Sequence, residues 1–301
     1  MNPPKQNLSA SVRQKLLNLS EKRKEPFDLL LVRYGIERLL YRLSQSRHAD
    51  KFLLKGAMLF ALWDEKMHRP TRDTDLLSFG STDLNAIQGV FQDILQTSVP
   101  DDGLVFQADS IQAEEIREDN AYGGIRVRLL ATLIKTKIPL QIDLGFGDVV
   151  TPAAEMAVFP ALLDFPAPEI RAYPIYTVVA EKFEAMVKLG SANTRMKDFY
   201  DLWFLSQRFD FDGAILQKAI QATFARRKTA LGDELPFPLT DAFAKDVVKQ
   251  DQWAGFLRRN ALVGSLQEFA DIVVVLRQFI EPVLHANKEA NHWRPSAGWF
   301  P

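Results

Sequence analysis

The chain has no cysteine in 301 residues, which excludes disulfide frameworks, cysteine-ligated zinc, iron–sulfur clusters and thiol nucleophiles together. Histidine is scarce as well. The four present, His48, His68, His285 and His292, show no zinc-site spacing and have no cysteine to complete one. No apolar run approaches the roughly 18 residues of a bilayer-spanning helix. The first twenty residues lack the apolar block of a signal peptide, and no GxxxxGK[ST] loop marks a P-loop enzyme. Net charge is nearly absent too, at −1 from 37 Lys and Arg against 38 Asp and Glu. The expectation is a soluble, cytoplasmic protein without membrane contact, with one large domain or two ordinary ones at ~100–200 residues each.

The near-zero charge conceals an asymmetry. Residues 1–55 hold 12 basic and 5 acidic residues, and residues 56–150 hold 8 and 15. A basic segment beside an acidic one can steer a polyanion towards a cation-holding site; it can equally be two faces that neutralise each other.

Periodicity divides the chain. The first 55 residues read as helical, with Ser9 or Ser11 as a cap and an apolar stripe through Leu30, Leu31, Ile36, Leu39, Leu40 and Leu43. The centre reads as a sheet. Strand candidates are 75–80, 104–107, 110–116, 122–133 and 138–146, with an amphipathic helix over 84–99. The polar link Lys135-Thr136-Lys137 makes the last two strands an antiparallel hairpin. A stretch after Asp148 with Pro152, Pro160, Pro166, Pro168 and Pro174 reads as a connector. From Ile175 to about Asn291 the pattern is helical, interrupted at 232–238. The expected organisation is a core with N-terminal helices over 1–170 and a helical domain over 171–301.

The most informative segment is Lys55-Gly56-Ala57, followed by Asp73-Thr74-Asp75. Carboxylates at i and i+2 of a strand share a face, where they repel unless a cation lies between them. Hard oxygen ligands of this kind suit Mg²⁺ bound with a nucleotide's phosphates, and a glycine turn into a helix presents backbone N–H groups to an anion. The competing reading is a solvated strand edge and a plain turn. Asp143, in Pro139-Leu-Gln-Ile-Asp-Leu-Gly145, reads either as an exposed polar-face residue or as a third carboxylate beside the pair. Lys182 interrupts the apolar row Val178 and Met186; it either reaches out to water or faces a partner. Asp198 and Asp201 share a helical face, and Lys197 with Asp201 reads as a surface i,i+4 ion pair. Arg38 and Arg42 share a face of their helix, with Arg33 off it. They either guide RNA or anchor the helix on the acidic centre. The aromatic end, with Trp293, Trp299 and Phe300, reads as a docking tail or a folded-back terminus.

Taken together, Phe52-Leu-Leu-Lys-Gly56, Arg69-Pro-Thr-Arg-Asp-Thr-Asp-Leu76, Gln141-Ile-Asp-Leu144, Ala180-Glu-Lys-Phe183 and Lys197-Asp-Phe-Tyr-Asp-Leu-Trp203 resemble the AbiEii/AbiGii family of toxin nucleotidyltransferases. Tyr34–Ser44 resembles its N-terminal helix. The resemblance implies an α+β fold: a polymerase-β-like nucleotidyltransferase core with a mixed sheet, N-terminal helices and a helical C-terminal domain. It implies Mg²⁺ (or Mn²⁺) held by Asp73 and Asp75, with Asp143 as the third ligand. An NTP would be gripped by Lys55, Gly56, Ala57, Lys182 and Lys197, and Asp198 or Asp201 would act in the last motif. It further implies an RNA acceptor such as the tRNA 3′ end and an antitoxin partner encoded nearby. Ala57 stands where the family commonly carries a second glycine or a serine. The alternatives are a non-catalytic RNA-binding or antitoxin-like module of the same fold, and a phosphotransferase acting on a protein or small molecule.

Overall fold

The computed structural model describes residues 5–63, 71–116, 123–232, 234–260, 262, 268–284 and 291–301. His68, Arg69, Pro70, Tyr122 and His285 lie outside these residues. The chain forms two compact units, Met1–Gly147 with Ala154–Tyr173, and Asp148–Ala153 with Pro174–Pro301.

The first unit holds the helices α1 (Lys5–Arg23), α2 (Phe27–Gln45), α3 (Phe60–Trp63) and α4 (Leu84–Gln96). Its strands are β1 (Phe52–Lys55), β2 (Asp73–Ser78), β3 (Leu104–Ile116), β4 (Gly124–Leu133), β5 (Thr136–Phe146), β6 (Glu155–Val158) and β7 (Glu169–Ala172). They make one mixed sheet in the order β3-β4-β5-β2-β1-β7-β6, with β2 parallel to β5 and antiparallel to β1. The β4–β5 hairpin forms as the alternation requires, its turn closing Leu133 on Thr136.

Alternation gives the sheet two chemically distinct faces. Leu54, Leu76, Val127, Leu129, Leu140, Ile142 and Leu144 are buried on one. The helix α2 packs on this face through its leucine stripe. Its close approach depends on Gly35, where a Cβ would lie 2.9 Å from Leu140 Cδ2. The other face carries the polar set Asp73, Asp75, Gln141 and Asp143, all of intermediate exposure.

Three local expectations need correction. The helix α1 is already under way at Lys5, so neither Ser9 nor Ser11 caps it; Ser9 Oγ donates to the Gly103 carbonyl (2.8 Å). The segments 104–107 and 110–116 are one strand with a register shift between Gln107 and Gln112. Within that irregularity the Ser110 hydroxyl accepts from Leu130 N–H (2.9 Å). The proline-rich connector contains two strands, because its prolines flank β6 and β7 and leave their N–H groups free to pair. There β7 runs parallel to β1, and Tyr173 N–H donates to the Leu54 carbonyl (3.0 Å).

The arginines of α2 do not form an RNA-guiding surface. Arg33, Arg38 and Arg42 are buried. Arg42 donates to both oxygens of buried Asp102 (2.6 and 3.3 Å), and Arg33 pairs with Glu25 (2.8 Å). Arg38 pairs with Glu37 and donates to the Pro166 carbonyl (2.7 and 2.8 Å). The anchoring alternative therefore holds: a buried guanidinium is retained only with carboxylate and carbonyl partners around it. Glu37 also accepts from Leu162 N–H (2.7 Å), so neighbouring side chains of α2 clip both ends of the 162–166 loop.

Burial pushes the Glu37 carboxyl up to about 7, against the charge of Arg38 and the Leu162 hydrogen bond. A carboxyl whose pKa is raised by folding contributes stability below its unfolded pKa and loses it as pH rises through the folded value. Stability is therefore expected to decline between about pH 4.5 and 7 by on the order of 3 kcal/mol from this group. Glu37→Gln, which keeps an acceptor for Leu162, should flatten that slope in thermal melts across the window. An unchanged slope would refute the assignment.

The second unit is built from α5 (Ile175–Leu189), α6 (Met196–Arg208), α7 (Gly213–Arg227), α8 (Asp241–Ala244), α9 (Val247–Arg259) and α10 (Phe269–Leu284). A small antiparallel sheet joins them, made of β8 (Phe211–Asp212), β9 (His292–Arg294) and β10 (Gly298–Phe300). Its core is aromatic: Phe199 stacks on Phe243 and meets Phe269 edge-on. The C-terminal aromatics fold back into it. Trp293 is buried and its Nε1 donates to the Ser206 carbonyl (2.8 Å), while Trp299 stacks on Phe279. Among the described residues no helix is long and apolar enough to cross a membrane.

Candidate active site

The polar face of the sheet gathers the residues that the DxD motif singled out. Register places Lys55 of β1 opposite Asp75 of β2, Asp75 beside Asp143 of β5, and Asp143 opposite Arg126 of β4. Directly paired residues share a face, so Lys55, Asp75, Asp143 and Arg126 form one row across four strands. Asp73, two residues before Asp75, is beside Gln141 in the adjoining row.

Each carboxylate in this patch is held differently. Thr71 Oγ1 donates to Asp73 Oδ1 (2.7 Å). Asp143 is gripped bidentately, with Arg126 Nε donating to Oδ1 (2.8 Å) and Nη2 to Oδ2 (2.7 Å). With its amide oxygen turned inward, Gln141 accepts from the same two nitrogens at 3.0 and 3.2 Å. The hydrogen bond to Asp143 raises the pKa of Arg126, opposed by burial and reinforced by the charges of Asp143, Glu114 and Asp73. Lys55 rests its Nζ over the Tyr173 ring, 5.2 Å from the centroid.

Gly56 closes the patch where β1 ends. It has φ +70°, and a Cβ there would fall 1.9 Å from Asp75 Oδ2. Only glycine both adopts this backbone and admits the carboxylate. A short 3₁₀ turn, Gly56–Leu59, leads directly into α3. It buries Ala57 and Met58 and turns the chain at the end of the DxD strand's neighbour. Gly56→Ala is expected to cost at least about 2 kcal/mol from the left-handed backbone and the displaced carboxylate together. The midpoint of thermal unfolding should fall by several degrees; an unchanged midpoint would mean that Asp75 has another place to go.

The second unit brings together another part of the predicted set. Lys182 Nζ lies 3.0 Å from Asp198 Oδ1 and 2.6 Å from Asp201 Oδ2, and both carboxylates are fully buried. Arg195 Nε adds a contact to Asp198 Oδ2 at 2.7 Å. Burial alone would push Asp198 up, but the charges of Lys182 and Arg195 outweigh it and hold the carboxyl below its usual range. The expected surface pair of Lys197 with Asp201 is therefore corrected. Lys197 is exposed, whereas Asp201 turns inward to Lys182. The interruption of the apolar row by Lys182 is explained by these two partners rather than by an excursion to water.

Two paired arginines escaped the sequence reading. Arg126 is legible only through hairpin register. The turn closing Leu133 on Thr136 fixes every pair above it, including Arg126 with Asp143. Arg227 of α7 pairs with Asp148 (3.1 Å), Glu181 (3.2 Å) and Glu184 (2.9 Å). Burial would lower its pKa, but the Glu181 and Asp148 charges raise it.

Among the described residues no group of three or more His, Asp or Glu side chains converges as a metal cage. That is no obstacle to Mg²⁺, which is commonly held by one or two carboxylates with its remaining positions filled by water and substrate phosphates. Asp73 and Asp75 supply two hard oxygen donors on one strand face, and Gly56, lacking a Cβ, lets the Asp75 carboxylate lie against the turn. The donor chemistry fits.

A family model described as nucleotidyl transferase AbiEii toxin, type IV toxin–antitoxin system, matches residues 38–274. The chain belongs to the AbiEii family. The match spans the DxD strand, β5, α5 and α6. With it, the mixed-sheet core, N-terminal helices and C-terminal helical region are the α+β architecture of a polymerase-β-like nucleotidyltransferase. Two solved structures are similar at low identity. One is JHP933 from Helicobacter pylori, with TM-score 0.47 and 14% identity over 83% of this chain and 90% of that one. The other is a candidate nucleotidyltransferase from H. pylori, with TM-score 0.44 and 12% identity over 83% and 92%. No curated protein matches.

Proposed function

We propose that this AbiEii-family chain transfers a nucleoside monophosphate from an NTP to a 3′-terminal RNA hydroxyl, with tRNA as the acceptor. The observation that carries the reading is the Lys55–Asp75–Asp143–Arg126 row, with Gly56 pressed against Asp75. Asp75 and Asp143 are neighbours in that row and Asp73 stands in the row beside it on the same face, and like charges placed so favour a bound cation. In the reaction the acceptor oxygen bonds to the α-phosphorus, the bond from that phosphorus to the bridging oxygen breaks, and pyrophosphate leaves. Asp73 and Asp75 would hold Mg²⁺ or Mn²⁺, which supplies charge stabilisation at the phosphates and lowers the pKa of the attacking hydroxyl.

The chain's own residues do the rest. Asp143, on the strand beside the DxD strand, takes the hydroxyl proton. Lys55 and the backbone N–H groups at Gly56 and Ala57 hold triphosphate oxygens. In the second unit, Lys182 is oriented by Asp198 and Asp201 and Lys197 is exposed, two cations of a kind that bind phosphate. In a cell such an activity would act as a toxin restrained by an antitoxin.

The acceptor is tested with intact tRNA against tRNA whose terminal ribose diol has been oxidised by periodate. Labelling of the intact RNA alone supports the reading. Equal labelling of both, or of neither with any NTP, would overturn it.

A further inference from the structure

Of the three carboxylates on the polar face, Asp143 is singled out. Asp73 is held by a neutral hydroxyl, Thr71 (2.7 Å), and makes no ion pair among the described residues. Asp143 has both oxygens taken by one guanidinium at 2.7–2.8 Å. A bidentate Arg–carboxylate pair is both directional and strong. This one is only part-buried, with side chains 27% and 17% exposed, so solutes reach it. Glu114, which faces Arg126 from β3, has its carboxylate 2.5 Å from Arg128 Nη1. Arg126 is thus committed chiefly to Asp143, its one charged partner at hydrogen-bond distance, with Gln141 as a neutral acceptor, and an arriving phosphate would compete with these two.

We infer that Arg126 is a charge lock on Asp143: while it holds both oxygens the patch rejects a lone divalent cation, and the lock opens to the phosphates of an arriving cation–nucleotide complex. The inference rests on the nucleotidyltransferase reading for the identity of the nucleotide, but the lock itself is a property of the row. Glu114 and Arg128 at the β3–β4 side of the face neutralise each other, and of the remaining groups, with Arg126 in place, three carboxylates face two cations, Arg126 and Lys55. Without Arg126 the deficit doubles to two charges, the complement of one divalent ion. Phosphate oxygens accept the same two-pronged hydrogen bonds as a carboxylate, so the guanidinium has somewhere to go when a triphosphate arrives, and Asp143 is then free to take a proton. In this scheme Arg126 is a positioning residue that acts through Asp143.

The test is Mn²⁺ alone, titrated into the nucleotide-free full chain and followed by electron paramagnetic resonance. Arg126→Gln should bind Mn²⁺ on the order of tenfold more tightly than the unaltered chain. Arg126→Lys, which keeps the charge, should stay near the unaltered value, and adding Asp143→Asn to Arg126→Gln should abolish the gain. An unchanged or weakened affinity in Arg126→Gln, or a gain that survives Asp143→Asn, overturns the lock. The unaltered chain gives a reading independent of any variant's folding. Its Mn²⁺ affinity should rise steeply when a non-hydrolysable NTP analogue is added, and equal affinity with and without the analogue overturns the lock. Tighter Mn²⁺ binding in a chain that transfers no nucleotide would sink the functional reading alone. Normal transfer with Mn²⁺ affinity indifferent to Arg126 would sink the lock alone.

Discussion

Asp75→Ala is expected to lower nucleotide transfer by about a thousandfold or more, the scale set by losing several kcal/mol of charge stabilisation at the phosphates. It should do so without unfolding the chain. Asp75 stands directly beside Asp143 and two residues from Asp73, so its removal relieves like-charge crowding. The facing Lys55 keeps its contact with the Tyr173 ring. Melting temperature should therefore move little while turnover vanishes, and growth inhibition by the expressed protein should disappear with it. A variant that turns over NTP normally would refute the cation assignment. A variant that loses turnover only because it melts would recast Asp75 as a structural residue.

Lys182→Ala should have the largest effect on stability. The ammonium is the cation shared by Asp198 and Asp201, both fully buried. Arg195 also contacts Asp198 (2.7 Å), so the shorter Lys182 contact, to Asp201 (2.6 Å), carries most of the expected loss. Removing one member of a buried pair costs about 3–5 kcal/mol, because the remaining charge is left in a poorly solvating interior. The expected result is a fall in the unfolding midpoint of roughly 10 °C. Adding Asp201→Asn to the lysine variant should restore part of the loss, a coupling that a double-mutant cycle reads directly. A fall below about 1 kcal/mol, or full additivity of the two changes, would mean that the cluster is solvated and that the buried-pair description is wrong. Because the folded pKa of Asp198 is depressed, its share of stability is present above the unfolded carboxyl value and lost as pH falls through the folded one. Acid should therefore weaken the unaltered chain through this cluster.

Local chemistry made the shared strand face of the candidate site readable from sequence. The alternation through Leu140, Ile142 and Leu144 put Asp143 on the polar face, and Asp73 and Asp75 follow from the same period of two. What could not be read was what lies across the strands. The pairing of Arg126 with Asp143 depends on a turn two residues long, and a polar link read one residue differently gives another partner. The strands β6 and β7 are four residues each between prolines, too short to show alternation, and only pairing with β1 reveals them. Burial misled in the opposite direction. Arg38 and Arg42 look like a surface pair on a helical wheel, yet Glu37, Asp102 and the 162–166 loop enclose them. A charged residue on an apolar helix says that it has a partner without saying which. Asp198 and Asp201 carried the same ambiguity, and Lys182 resolves it fifteen or more residues upstream.

The account turns on which bond of the nucleotide breaks, and one comparison tests that most directly. Purified chain is incubated with Mg²⁺ and tRNA, in parallel with NTPs labelled at the α-phosphate and at the γ-phosphate. The account predicts α-label in the RNA, γ-label released as pyrophosphate, and neither outcome with Asp75→Ala. Label transferred from the γ-position, or no dependence on Asp75, would contradict it.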